Sequence, residues 1–468
     1  MTGLIGESGI LPATNLLHAL QSEIGVERYW LFPTVAWLNS SDLFLQGICL
    51  LGCLSSLLIV AGIFSGPLLL LCWMLYLSIV TVGQDFYSFQ WDILLLETGF
   101  LAVFLFPWRR FEPWLPGQFK RSEDYCPSLC MIWLLRFLTF KLMFLSGYVK
   151  LASHDSTWSS LTALNYHYFT QPLPNPIAYW TAHLPEAAHK FSCGMLLFIE
   201  LLVPFCVFLG RAARLFAAGA FVFVQILIIL TGNYAFFNLL TIALAMTLLD
   251  DAALERFVPA SLSHNLRRFA HRSRNVLTRT TILRGAIIAV VALFIGMSNL
   301  VLFVGRHVPG ATVTRELQNF YFASTYGLFA VMTTERKEII VQGSDDGIIW
   351  LTYEFPYKPG ALDRAPPIVA PYQPRLDWQM WFAALGDYQS NPWFMHFMAK
   401  LLEGSSDVLK LLAYNPFPDH PPKYLRAEFY RYTFTEPSEL QKTGNWWKRD
   451  FVEYYLPPIG VSRDSTAP

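Results

Sequence analysis

Lys150, His154, Asp155, Trp158, His167 and Tyr168 crowd into one stretch, LSGYVKLASHDSTWSSLTALNYHYF, at the exit of a strongly apolar run. A lysine amine acts as a base or nucleophile near neutral pH only when desolvation or a neighbouring cation lowers its pKa. An edge between hydrocarbon and water can supply that desolvation. The same position also suits an anchor whose ammonium snorkels to water within an aromatic belt. Catalysis and anchoring therefore both stand open for Lys150, and the other five residues would line the site if chemistry occurs there.

A second set of ionisable residues lies deeper in apolar segments, where charge is expensive: Glu97, Arg136, Lys141 and Glu200. Their opposite signs allow pairing between helices or direct participation in a site, and sequence does not say which residues meet. Asp92 falls at the end of its segment and reads as interfacial. His154, His167, His183 and His189 share one connection with Asp155 and Glu186, but no HxxxH or HExxH spacing occurs, so no metal centre is expected. There is no GxSxG elbow, Walker loop or GxGxxG, and hence no support for hydrolase, ATPase or dinucleotide chemistry, and no cofactor is expected. Asp345 and Asp346 precede a glycine between two β-like runs, which is what a tight turn needs. No CxxC occurs, and Cys49 with Cys53 marks one face of a helix.

The elements that must position these residues follow from composition. The chain is 54% hydrophobic and only 15% charged, with zero formal net charge, which defines a membrane protein and gives no basic excess for nucleic acid. Segments 43–63, 67–83, 91–107, 129–150, 191–210, 214–230, 234–249 and 282–304 are apolar enough to predict about eight spans. Arg109, Arg110, Lys120 and Arg121 follow the third, Arg211 and Arg214 the fifth, and Arg256, Arg267, Arg268, Arg272, Arg274 and Arg279 the seventh. These connections should face the cytoplasm, which places the 151–190 connection and everything after 304 on the opposite side.

After residue 304 the pattern changes to short runs rich in β-branched and aromatic residues: YGLFAVMTTE, KEIIVQG, IIWLTYEF and AEFYRYTFTE. RLDWQMWFAAL, PWFMHFMAKLLEG and SDVLKLLAY read as helices. The expected architecture is a helical membrane bundle over 1–304 followed by a β-rich α+β domain, sandwich-like, over 305–468, able to fold separately. GNWWKRD and NPFPDHPPKY look like exposed partner surface, and VSRDSTAP like a disordered tail.

Several strings together resemble the lipase maturation factor family: WDILLLETGFLAVFLFPW, LSGYVKLASHDSTWSSLTALNYHYFTQPLPNP, GNYAFFNLLT, ELQNFYFASTYGLFAVMTTERKEIIVQGSDDGIIWLTYEFPYKPG and GNWWKRD. The resemblance implies a multi-span protein that helps secreted clients, dimeric lipases in eukaryotic members, reach their active form. It would lie in the endoplasmic reticulum membrane of a eukaryote or the inner membrane of a bacterium, with its C-terminal domain lumenal or periplasmic. Its partners would be the client and membrane lipids. Members usually carry a further span before GLIG; the start MTGLIG and the compact length favour a bacterial member. A shorter resemblance links SGYVKLASHDSTW to vitamin K-dependent carboxylase-like membrane proteins, whose motif lysine is a base. Lys150 matches that lysine, and the resemblance implies an alternative: an enzyme acting on a lipid, quinone or polypeptide.

Overall fold

The structure is a computed structural model that describes residues 1–106, 108, 127–255, 279–304 and 316–460. The basic stretches around Arg109, Arg110, Lys120 and Arg121 and from Arg256 to Arg274, and the tail 461–468, lie outside these residues. After α1 (Ala13–Glu23), the bundle comprises α2 (Asp42–Val60), α3 (Ser65–Val82), α4 (Gln90–Val103) and α5 (Leu129–Ala152). Short helices α6 (Ala163–Thr170) and α7 (Pro176–Ala182) lead to α8 (Glu186–Leu201), α9 (Arg211–Thr231), α10 (Phe237–Met246) and α11 (Arg279–Val304).

Six helical stretches among the described residues are long and apolar enough to cross a membrane: α2, α3, α5, Glu186–Phe208, α9 and Leu283–Phe303. The other two expected spans are the 14-residue α4 and the 10-residue α10. At 1.5 Å per residue they reach about 21 and 15 Å, short of a hydrocarbon layer of about 30 Å. Both turn a buried face into the bundle, while α10 leaves Leu239 and Met246 about half exposed on its other side. Helix α4 buries Asp92 and Glu97, and α10 buries Asn238 and Thr241.

Beyond the bundle come strands β1 (Arg336–Ser344) and β2 (Leu351–Thr352), helices α12 (Arg375–Ala383) and α13 (Pro392–Leu402), β3 (Tyr424–Phe434), α14 (Pro437–Thr443) and β4 (Trp447–Gly460). They form one antiparallel sheet in the order β2-β1-β3-β4. Period-two alternation sends Ile339 and Val341, with Leu425, Ala427 and Phe429, to one face. There, α12 and α13 supply Leu376, Met380, Phe394, Phe397 and Leu401. Helices thus occupy the face that a second sheet would cover in a sandwich. The GSDDG hairpin is present: Asp346 accepts backbone hydrogen bonds from Ile348 and Ile349 at 2.8 Å, and Gly347 takes φ 73°.

YGLFAVMTTE does not form a strand. Its backbone groups are taken by bundle side chains: Gly327 N–H by Gln90 at 3.0 Å, Met332 N–H by Asp155 at 2.6 Å, and the Phe329 and Ala330 carbonyls by Trp158 at 2.9 Å and Ser153 at 2.6 Å. With those groups satisfied, no ladder is required.

The apolar core behind the sheet crosses the 304/305 boundary. Leu4, Ile5, Ile10, Ala13 and Leu17 of the N-terminal segment, Leu45 and Ile48 of α2, and Leu75, Ile79 and Val82 of α3 lie in the same cluster as Ile339, Phe397 and Leu456. Bundle and sheet close a single core.

Candidate functional site

Lys150 closes the last turn of α5, and its neighbour across the helix pair is set by Gly147. A Cβ at Gly147 would stand 2.8 Å from Glu200 Cβ and 2.9 Å from Leu201 Cγ, so only glycine lets α8 come this close. Lys150 is only 5% exposed. Its Nζ donates to Glu200 at 2.7 Å and to the Ser146 carbonyl at 3.0 Å, and lies 5.3 Å from the Trp158 ring centre. The ammonium does not snorkel to water; it is held between Glu200 and the Ser146 carbonyl. Trp158 in turn donates Nε1–H to the Phe329 carbonyl at 2.9 Å.

The remaining expected lining residues divide. His154 takes φ 57° as the chain turns out of α5, and is exposed. Asp155 caps the next turn by accepting Thr157 N–H at 2.7 Å and also holds Met332. Burial alone would raise its pKa, but these backbone donors outweigh it and hold the carboxyl below its ordinary value. His167 sits 4.8 Å from Phe329, ring centre to ring centre, with Nε2 3.2 Å from the Tyr234 hydroxyl. Tyr234 donates to Gln171 at 2.9 Å, so the proton between Tyr234 and the imidazole belongs to Nε2. Burial, then the charge of Lys150, lowers the His167 pKa to about 4. Tyr168 packs its ring on His189 at 5.6 Å, and burial pushes its hydroxyl up to about 12.

The deeper charges form a second knot. Lys141 meets Glu97 at 2.5 Å and Asn299 of α11 at 2.8 Å, and Tyr326 donates to the other Glu97 oxygen at 2.6 Å. Arg136 joins neither pair; it donates to the Thr247 carbonyl at 2.9 Å and lies over Trp133. Among the described residues no cluster of three or more His, Cys, Asp or Glu gathers as metal ligands would.

Three further locks escaped the sequence. Asp92, expected at an interface, is fully buried and takes both Nη groups of Arg375 at 2.8 Å and the Tyr76 hydroxyl at 2.5 Å. Arg375 also donates to the Phe86 carbonyl and covers Tyr87 at 3.6 Å. Arg336, 1% exposed, pairs with Glu338 at 2.6 Å and donates to the carbonyls of Phe169, Gln171 and Pro172. Asn233 donates to the Leu173 and Pro367 carbonyls and accepts from Val369 and Ala370, tying the GNY turn to the loop before α12. The one available signal was chemical type: buried arginine, asparagine and aspartate must find partners.

Within the 150–176 signature, Ser153, Asp155 and Trp158 bind the 329–332 segment that leads into β1, and the carbonyls of Phe169, Gln171 and Pro172 bind Arg336, so part of the signature joins the bundle to the sheet domain while Lys150 and His167 bond within the bundle. The fold and this junction define an integral membrane protein with a β-rich domain clamped against its helical bundle.

Comparison with known proteins carries the description further. The profile of the lipase maturation factor transmembrane domain matches residues 1–256, and that of the lipase maturation factor C-terminal domain matches 322–457. The chain is 36% identical to human lipase maturation factor 1, over 98% of this chain and 83% of that protein. It is likewise 36% identical to human lipase maturation factor 2, over 98% and 79%, and 35% identical to bovine lipase maturation factor 1, over 97% and 84%. The chain belongs to the lipase maturation factor family. No solved structure matches it.

Proposed function

We propose that this protein assists the maturation of secreted, lipase-type clients, with its β-rich domain on the extracytoplasmic side. That side is the lumen for an endoplasmic reticulum membrane and the periplasm for a bacterial inner membrane. The observation that carries the reading is the junction: Asp92, Asn233, Asp155 and Arg336 hold the domain against the bundle, leaving its aromatic outer surface open as a fixed platform. The whole-chain similarity to lipase maturation factors 1 and 2 supports it, and so does the basic character of the connections after the third, fifth and seventh apolar segments. The test is co-expression of a secreted lipase with and without this chain, reading lipase activity per secreted molecule and capture of the lipase by the full-length protein. Activity should fall without the chain. Unchanged specific activity together with no capture would end the proposal.

Within it, Lys150 serves as a positioning residue that holds α8 and Trp158 in place through Glu200. The other reading, chemistry on a lipid, quinone or polypeptide, would rest on the buried Lys150–Glu200 pair at 2.7 Å. Lys150→Arg separates the two, because arginine can keep the pair but cannot serve as a base. Normal abundance and function in Lys150→Arg, with loss of abundance in Lys150→Met, is the expected result; a normally abundant but inactive Lys150→Arg would favour chemistry.

A further inference from the structure

The two edges of the sheet are unequal. One is the two-residue β2, and the other is the 14-residue β4, whose residues 448–454 are all exposed. Half of the backbone N–H and C=O groups along such an edge point away from the sheet, here over about 24 Å. Proteins usually blunt such edges with charge or proline. Pro457 and Pro458 close one end of this edge, and Lys448, Arg449 and Asp450 flank the other. Between them, beside the exposed charge of Glu453, Phe451, Val452 and Tyr454 remain open, each more than a third exposed, apolar and aromatic side chains that edge protection usually avoids.

The surface beside this edge has the composition of a recognition platform. Phe451 lies edge-on to Tyr430 at 5.6 Å, Arg449 covers the same ring at 4.6 Å, and Arg426 lies between Trp350 at 4.2 Å and Tyr454 at 5.6 Å. Tyrosine, tryptophan and arginine dominate binding hot spots. Arg426 has a carboxylate partner in Glu428 at 2.8 Å, whereas Arg449 hydrogen-bonds only the Tyr432 hydroxyl at 3.1 Å and, among the described residues, meets the Glu354 carboxylate only at longer range, without a direct ion pair. The same face continues, at its other end, into the aromatic contact of Trp447 and Phe434 with Tyr179 of the bundle. Open edge and closed junction thus share one surface. The register shift that puts both Phe451 and Tyr454 on this face is a bulge, a device that twists an edge away from pairing with its own copy.

We propose that β4 takes up an extended, unfolded segment of a secreted client as an added strand. The segment sets a carboxylate against Arg449 and apolar side chains against Phe451 and Tyr454. Main-chain hydrogen bonds supply affinity for any extended segment, and the platform supplies preference. The proposal rests on the client reading above.

The test uses the full chain in lipid nanodiscs, a reduced and urea-unfolded secreted lipase, and 12-residue peptides tiled along that lipase. Peptides alternating apolar and acidic residues should slow amide exchange in 448–456. Val452→Lys, an exposed change of the edge-blunting kind, should weaken capture of the unfolded lipase roughly tenfold without lowering the melting temperature. Arg449→Glu should shift peptide preference from acidic to basic. Three results overturn the proposal: the outward-pointing β4 amides, those not bonded to β3, already protected in the free protein, by the following segment or a second copy; peptide protection confined to another surface; or full capture by Val452→Lys. In the last case the client reading survives and only the edge is wrong. Failure of the folded wild-type chain to capture the lipase at all would remove both.

Discussion

Breaking the Asp92–Arg375 lock should loosen the domain from the bundle, and its size can be worked from the contacts. Asp92 accepts from both Arg375 Nη groups and from Tyr76, while Arg375 has a further acceptor in Phe86 and an aromatic cover in Tyr87. In Asp92→Asn the guanidinium stays buried, with its side chain 9% exposed, and loses its counter-charge. Removing one partner of a buried pair costs about 3–5 kcal/mol, because the survivor is left uncompensated. If docking and undocking are fast relative to cleavage, that cost raises the undocked population, and with it native-state proteolysis, by about two to four powers of ten. The assay is the rate at which a dilute protease cuts the 322–335 segment in protein held in detergent micelles. Asp92→Ala combined with Arg375→Met should be less damaging than the sum of the single changes by about 2 kcal/mol, since no orphaned charge remains. Cleavage of Asp92→Asn within about threefold of wild type, a difference under 1 kcal/mol, would refute the view that this pair holds the junction.

Gly147→Val should push α5 from α8, costing about 1–3 kcal/mol and lowering the melting temperature, because its Cβ alone would overlap Glu200 and Leu201. His167, with its pKa depressed to about 4, binds fewer protons folded than unfolded between pH 6.5 and 4. Stability should therefore fall as pH drops through that window, by up to about 3 kcal/mol from this group, and His167→Gln should flatten the dependence in urea titrations at stepped pH. Asp377 behaves oppositely: burial raises its pKa to about 6 although Tyr357 and Lys358 N–H groups donate to it at 2.8 Å. Its contribution is greatest at low pH and is lost as pH rises from about 4 to 6, so Asp377→Asn, which keeps both acceptor bonds, should raise the melting temperature at pH 7.5.

Much of the bundle was legible because hydrocarbon demands long apolar segments, and helices such as RLDWQMWFAAL were legible by period and length. The types of the buried charges were legible too, but their partners were not. Glu97 meets Lys141 and Glu200 meets Lys150 across separations of 44 and 50 residues, which helix packing decides. Asp92 was misread because its partner lies 283 positions away. YGLFAVMTTE has a strand's residues and no strand's hydrogen bonds, since the Asp155 carboxylate and the Gln90 amide take its donors first. Lys150 was legible as a boundary lysine, whereas the carboxylate that holds it came from a helix whose approach depends on one glycine.

The apolar cluster behind the sheet has a consequence for biogenesis. Leu4, Ile5 and Ile10 are made long before Leu401, Leu425 and Leu456, which lie in the same cluster. Ser8 accepts a hydrogen bond from Ser405, 397 positions on. Vectorial folding, in which each segment settles as it emerges from the ribosome, cannot complete this centre. Residues 4–17 must keep their apolar face uncovered, or in temporary care, until the strands and helices of the sheet domain have been made. The junction of bundle and sheet thus leaves a long unfinished interval in the making of this chain.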